Sequence, residues 1–213
     1  MTNAADFPVG VNAYQRGDYA TAIRIFRQLA DQGDTNAQNT LGVMYENGQG
    51  ITQSYLEAAK WYRKAADQGD ANAQSNLGVL YRDGQGVTQD YAAAVMWYHK
   101  AADQGEAAAQ INLGVMYEDG MGVPQHYVAA VMWYRKAAEQ GNDIAQANLG
   151  IMYDLGQGVT QDYVLAHMWY NIAASQGQKD SGKRRDHLAN TLMTPAQIAE
   201  AQKLAREWKP KGK

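Results

Sequence analysis

Gly-x-Gly occurs four times, at 48–50, 84–86, 120–122 and 156–158. Glycines so spaced can bare backbone amides to a phosphate, so nucleotide binding is the first chemistry to test. A dinucleotide fingerprint needs a third glycine three residues after the second, and a strand before the loop; a P-loop needs Gly-Lys-Ser/Thr. Position 53 is Gln, the preceding residues have helical periodicity, and Gly-Lys-Ser/Thr is absent. The glycines are expected instead to end a helix in the left-handed conformation and turn the chain. The histidines, His99, His126, His167 and His187, fall at different phases of a 36-residue repeat and form no His-x-x-x-His or Glu-x-x-His pair. They are expected to face solvent. His187 follows Asp186, but adjacent helical residues point apart and make poor catalytic partners. Cysteine is absent, which removes disulfides, thiolate nucleophiles and thiolate metal sites. No catalytic residue, metal site or cofactor is expected.

Aromatic and basic residues offer two further chemistries. Trp61, Trp97, Trp133 and Trp169, each followed by Tyr, could stack on carbohydrate. Their strict phase argues for packing, with the four tryptophans keeping an exposed edge. Residues 179–213 carry a charge of +5 and the preceding residues −8, within a net −3. Such a tail could attract nucleic acid or an anionic membrane. It is short and follows an acidic body, so it is read as a solvated helix end, without a nucleic-acid partner.

All of these residues are ordered by one repeat. Leu recurs at 41, 77, 113 and 149, Gly at 42, 78, 114 and 150, Tyr at 45, 81, 117 and 153, and Trp-Tyr at 61–62, 97–98, 133–134 and 169–170. All 14 tyrosines fall on three phases, counting Tyr14 and Tyr19 in a shorter leading copy. The spacing predicts two helices per unit. In the first unit, helix A covers 37–47, with Ala37, Leu41, Gly42 and Tyr45 on one face. Gly42 lets a neighbouring helix approach, and Gly48 ends helix A. Helix B covers 54–68, with Ser54, Asp90 and Asp162 as N-caps in their respective units. Pro124 and His126 replace Thr and Asp in the third unit, which predicts a slightly different start there. "QGD" at 32–34 and 68–70 reads as a helix stop followed by an N-cap. A helix pair of this size cannot bury its apolar faces alone, so the pairs must stack. The fold class expected is all-α, an α/α superhelical solenoid.

The recurring Ala-Gln-x-x-Leu-Gly-x-x-Tyr, Gly-x-Gly and Trp-Tyr-x-x-Ala-Ala-x-x-Gly resemble the Sel1-like repeat family. These are relatives of tetratricopeptide repeats with a longer loop between the two helices. The resemblance spans four copies at 37–72, 73–108, 109–144 and 145–180. A partial pair at 9–36, after a disordered 1–8, lacks five loop residues, looks more like a tetratricopeptide unit and should cap the array. Its Arg16-Gly17-Asp18 is read as a helix-to-helix turn with an Asp N-cap, not as an adhesion motif. Capping helices are expected over 181–208, then a basic tail at 209–213. Thr194, Pro195 and Gln197 form a capping box. Ile198, Ala201, Leu204, Ala205 and Trp208 make one apolar face that should cover the last repeat.

In tetratricopeptide-like arrays helix A lines the concave surface. Carried onto the matching phases, this implies a partner-binding strip of Asn39, Val43, Glu46 and Asn47; Ser75, Val79, Arg82 and Asp83; Ile111, Val115, Glu118 and Asp119; and Ala147, Ile151, Asp154 and Leu155. Its acidic edge and apolar lane suit a basic protein or peptide with apolar anchors. The resemblance thus implies a non-enzymatic adaptor, with a monomer favoured. An alternative also follows from it. Some cysteine-rich Sel1-like proteins are associated with β-lactam binding and hydrolysis, so an envelope-associated protein acting on cell-wall material is the second reading. Against it stand the missing cysteines and the missing Ser-x-x-Lys. No signal peptide is visible in "MTNAADFPVG", and no run of 18 apolar residues occurs. A cytoplasmic chain is expected, or the mature form of an exported one.

Overall fold

The computed structural model describes residues 6–211. Twelve helices and no strands occur among them: α1 (Asp6–Gln15), α2 (Tyr19–Asp31), α3 (Thr35–Asn47), α4 (Tyr55–Asp67), α5 (Ala71–Asp83), α6 (Tyr91–Asp103), α7 (Ala107–Asp119), α8 (Tyr127–Glu139), α9 (Asp143–Leu155), α10 (Tyr163–Ser175), α11 (Lys179–Thr191) and α12 (Pro195–Glu207). The chain divides into two compact units, one ending at Glu106 and the other beginning at Ala107. Within each, antiparallel-type pairs follow one another: α1 with α2, α3 with α4 and α5 with α6 in the first, α7 with α8 and α9 with α10 in the second. Helix B of one pair also packs on helix A of the next, as α4 does on α5 and α8 on α9. This is the all-α, helical-repeat solenoid class.

Local chemistry sets each helix boundary. Asp34 and Asp70 accept from the amides of Ala37 and Ala73, at 2.8 and 2.7 Å, and so cap α3 and α5. Ser54 and Asp90 do the same for α4 and α6. His126 corrects the expectation of a shifted start. The helix α8 begins at Tyr127, in register with the other B helices, because His126 Nδ1 accepts from the Ala129 amide at 3.0 Å. An imidazole nitrogen thus replaces the carboxylate oxygen as cap. Asp18 caps α2 through Thr21, so Arg16-Gly17-Asp18 is a turn and a cap. Of the stretch 1–8 expected to be disordered, residues 1–5 lie outside the described residues, and Asp6 opens α1.

The first glycine of Gly-x-Gly does what the sequence predicts. Gly48, Gly84 and Gly156 have φ of 67° and cap α3, α5 and α9 in the left-handed region. The second glycine has a separate task. A Cβ on Gly86 would sit 2.2 Å from the Tyr55 carbonyl carbon, and one on Gly158 would sit 2.4 Å from that of Tyr127. Each loop therefore lies directly on the start of the preceding B helix, with no room for a side chain.

Inside each pair, the Tyr of Trp-Tyr lies on the glycine of Leu-Gly. Tyr62, Tyr98, Tyr134 and Tyr170 are fully buried. A Cβ on Gly42, Gly78, Gly114 or Gly150 would come within 2.4, 2.6, 2.3 or 2.7 Å of the facing ring. Around this contact Ala58, Ala65 and Leu77 close the core of the first unit, and Ala130, Ala137 and Leu149 that of the second.

The α12 capping box is present, with Thr194 and Gln197 bonded reciprocally. Leu204, Ala205 and Trp208 pack into the core of the second unit, and Trp208 meets Trp169 edge-on at 5.8 Å. The tail then continues along α8: the Lys211 amide donates to the Glu139 carbonyl at 2.7 Å, and its Nζ pairs with the Glu139 carboxylate at 2.8 Å. Residues 212–213 of the expected tail lie outside the described residues.

Gly114→Ala should destabilise the protein by about 1–3 kcal/mol, since the methyl group must displace a buried ring. Gly182→Ala, where the new Cβ would meet only Ala174 at 3.7 Å, should instead stabilise by about 0.5–1 kcal/mol. Urea unfolding midpoints at constant m-value measure both; equal losses would show that ring-on-glycine packing is not the determinant.

Candidate functional site

The predicted strip lies on α3 and α5 in the first unit, and on α7 and α9 in the second. Its members differ in what they can offer. Asn47, Asp83, Asp119 and Leu155 are exposed, Leu155 at 57%. Val43, Val79, Ile111, Val115 and Ile151 are half-buried, as is Ala147. Of these, Val43, Ile111, Val115 and Ile151 pack against the cores beneath them. Ser75 is buried, and Asn39 accepts from Asn76 at 3.2 Å.

Three carboxylates expected to read a partner are already engaged. The Tyr62 hydroxyl donates to Glu46 at 2.5 Å, Tyr134 to Glu118 at 2.6 Å, and Tyr170 to Asp154 at 3.2 Å. Burial, and then the carboxylate acceptor, push the Tyr62 and Tyr134 hydroxyls far above the usual phenol range. The second repeat breaks the pattern. Arg82 stands in the carboxylate's place and turns to Asp83, bonding it through Nε at 2.7 Å and Nη2 at 3.0 Å. The Tyr98 hydroxyl is left buried with no hydrogen-bond partner.

Two glutamine series hold this surface in place, and sequence reasoning assigned neither a role. Gln38 and Gln74 are buried on helix A. Each donates to a carbonyl near the end of the preceding B helix, Ala30 at 3.0 Å and Ala66 at 3.1 Å. Each accepts in turn from the glutamine ending its own B helix, Gln68 or Gln104, both at 2.8 Å. Gln146 repeats the arrangement in the second unit with Ala138 and Gln176. One amide thus ties three helices together. The second series, Gln53, Gln89, Gln125 and Gln161, donates to the carbonyls of Glu46, Arg82, Glu118 and Asp154, at 2.7–2.8 Å. These are open carbonyls in the last turn of helix A. The recurrence of Gln in "TQ" and "PQ" just before helix B was the available signal.

The tryptophans correct an expectation. Trp61, Trp97, Trp133 and Trp169 are only 9, 2, 3 and 7% exposed, so no aromatic stacking surface exists there. A lysine one turn on lies over each of the first three rings, Lys64 at 3.9 Å, Lys100 at 4.1 Å and Lys136 at 4.0 Å from the centroid. Trp208 covers the fourth. Of the histidines expected to face solvent, His126 and His187 do and His99 is half-buried. His167 is buried. It occupies the phase of Ala59, Val95 and Val131, all core positions, so its burial was there to be read. No group of His, Cys, Asp or Glu arranged to hold a metal occurs among the described residues. No helix there is long and apolar enough to cross a membrane.

A family model for the Sel1 repeat matches residues 10–34, 35–70, 71–106, 107–142 and 143–178. This chain belongs to the Sel1 repeat family. The match includes the leading pair, at 10–34. Two solved structures share sequence as well as fold. One is a protective antigen of uropathogenic Escherichia coli displaying an SLR fold, 35% identical over 95% of this chain with a TM-score of 0.83. This chain spans 45% of that one. The other is a Sel1 repeat protein from Oxalobacter formigenes, 32% identical over 95% of this chain and 86% of that one, with a TM-score of 0.81. A Sel1 repeat protein from Klebsiella pneumoniae, at 23% identity and a TM-score of 0.58, shares the fold alone; it covers 87% of this chain and 92% of that one. A comparison with curated proteins finds no match. Sel1-repeat folds commonly act as protein-interaction scaffolds, and the family is typically non-catalytic.

Arg82→Glu should supply the acceptor that the Tyr98 hydroxyl lacks and raise stability by about 1 kcal/mol, despite the loss of a surface ion pair with Asp83. A midpoint shift in urea that vanishes in the Tyr98→Phe background would confirm the pairing; an unchanged midpoint would refute it.

Proposed function

We propose that the protein is a non-enzymatic scaffold that captures a partner protein or peptide on its helix-A surface, taken as the concave face. One observation carries this reading. The positions that recur are committed to holding the array together, whereas the last residue of helix A varies and is exposed: Asn47, Asp83, Asp119 and Leu155. Each borders a half-buried aliphatic residue, Val43, Val79, Val115 or Ile151, at the preceding turn. Polar or charged groups beside shallow apolar ground suit a segment with apolar anchors, and Asp119 favours a basic residue next to it, whereas Asp83 is already paired with Arg82. Glu46, Glu118 and Asp154 contribute by holding the tyrosines beneath, so they shape the surface more than they read the partner.

The test follows from that division. Asp83→Lys, Asp119→Lys and Leu155→Ser, combined in one chain, alter exposed side chains without removing a tyrosine's acceptor. Quantitative capture from the native cell should show one or more partners depleted at least roughly tenfold on the variant, with helicity by circular dichroism unchanged. Identical partners at identical levels would exclude this surface. Glu118 is unsuitable for charge reversal, because its loss removes the carboxylate to which the buried Tyr134 hydroxyl donates.

A further inference from the structure

His167 on α10 has no counterpart in the other repeats, where the same phase holds Ala59, Val95 and Val131. It is 2% exposed, and its Nδ1 is buried without a hydrogen-bond partner. Burial, and then the nearby Arg185, hold its pKa below the usual histidine range, while Asp186 opposes them weakly. The ring is therefore neutral, with one nitrogen to donate and one to accept. A valine in that place would leave no polar atom unsatisfied.

A cavity of about 410 Å³ lies against His167, where α10, α11 and α12 come together. The helix α10 contributes His167 and Asn171, one turn apart; α11 contributes Arg185 and Asp186; α12 contributes Ile198, Gln202 and Arg206, each one turn on from the last. The charges here are not balanced. Arg185 is committed, donating to Asn171 Oδ1 at 2.9 Å and pairing with Asp186 at 2.7 Å. Asp186 is the carboxylate in the lining, and it is spent on that pair. Arg206 takes part in none of the ion pairs among the described residues. The pocket thus holds one uncompensated guanidinium, a primary amide on Gln202, and the one edge of the otherwise buried His167 ring that reaches the surface. Its volume is that of a small-molecule site.

We propose that this cavity binds an organic carboxylate, with Arg206 gripping the carboxylate and His167 meeting a polar group on the ligand's body. A guanidinium fork matches the two oxygens of a carboxylate. A single uncompensated charge beside Asp186 favours a monoanion over a phosphate dianion, and Ile198 gives the carbon portion an apolar wall. The carboxylate can come from a free small acid or from a chain's C-terminus. This site is separate from the helix-A surface, and it stands whether or not that surface binds a partner.

The experiment is a titration of the ¹⁵N-labelled full chain, reading the imidazole nitrogens of His167 and the indole of Trp208. Acetate and benzoate are compared with their primary amides, and a short peptide having a free C-terminus with its C-terminal amide. Ionic strength is held constant, with inorganic phosphate as the ionic control. The acids should shift His167 saturably and the amides should not. Saturation by the free acids assigns the site to a small molecule; saturation by the free-ended peptide alone assigns it to a chain terminus; either supports a carboxylate site. Arg206→Gln, at an exposed position, should weaken binding by roughly tenfold or more. His167→Val, which restores the residue type of the neighbouring repeats, should raise the unfolding midpoint while weakening binding. Equal response to acids and amides, equal response to phosphate, or wild-type affinity in His167→Val would each overturn the proposal.

Discussion

A tyrosine ring packed against a helix with no side chain beneath it is the contact on which the rest of the protein depends. Tyr62 on Gly42, Tyr98 on Gly78, Tyr134 on Gly114 and Tyr170 on Gly150 set how closely helix A and helix B approach. Once the two backbones are that close, the flanking alanines suffice to fill the core, which explains why large aliphatic residues are few there. The hydroxyl at the far end of the ring must then find an acceptor near the edge of helix A. The surface acid that meets it is a consequence of the packing below. Surface and core are therefore one design problem here: a change in the residue meeting the hydroxyl is felt at the ring.

Much of this was legible in the sequence because repetition separates structural residues from the rest. Leu41, Gly42, Tyr45 and Trp61-Tyr62 recur without change, and helix boundaries followed from Gly48, Ser54 and Asp70 through ordinary cap chemistry. The failures share a physical cause. Periodicity reports which face a residue is on, but not what lies over it. Trp61 stood at the edge of its stripe and was expected to be partly bare; a lysine from the next turn covers it. Glu46 stood on a surface face and was expected to be available; a hydroxyl rising from below claims it. Long side chains cross between faces, and a one-dimensional pattern cannot register that. His167 is a different kind of miss, since its phase already marked it as a core position.

The departures from the pattern carry the functional information. Arg82 replaces a carboxylate, His167 replaces a small aliphatic residue, and Leu155 ends a helix A that elsewhere ends in Asn or Asp. Each leaves something unpaired: a buried hydroxyl, a buried imidazole nitrogen, an exposed apolar side chain. Where most polar groups are matched in repeating series, Trp97 Nε1 being a further exception, such mismatches are where interaction with another molecule has room to act.

The second glycine of each Gly-x-Gly bears on how such a chain can change over time. Gly86 rests on the opening residues of α4, and Gly158 on those of α8. A loop is thus seated by the module before it, while the buried glutamines of α3, α5 and α9 reach both to the earlier module and to their own B helix. No 36-residue module contains all of its own contacts. Lengthening or shortening the array is therefore tolerated in whole modules, which carry complementary seams at both ends, whereas a deletion of a few residues leaves two seams that no longer meet. The quantum of variation in this protein is the duplicated module, and point changes are left to tune what each copy presents.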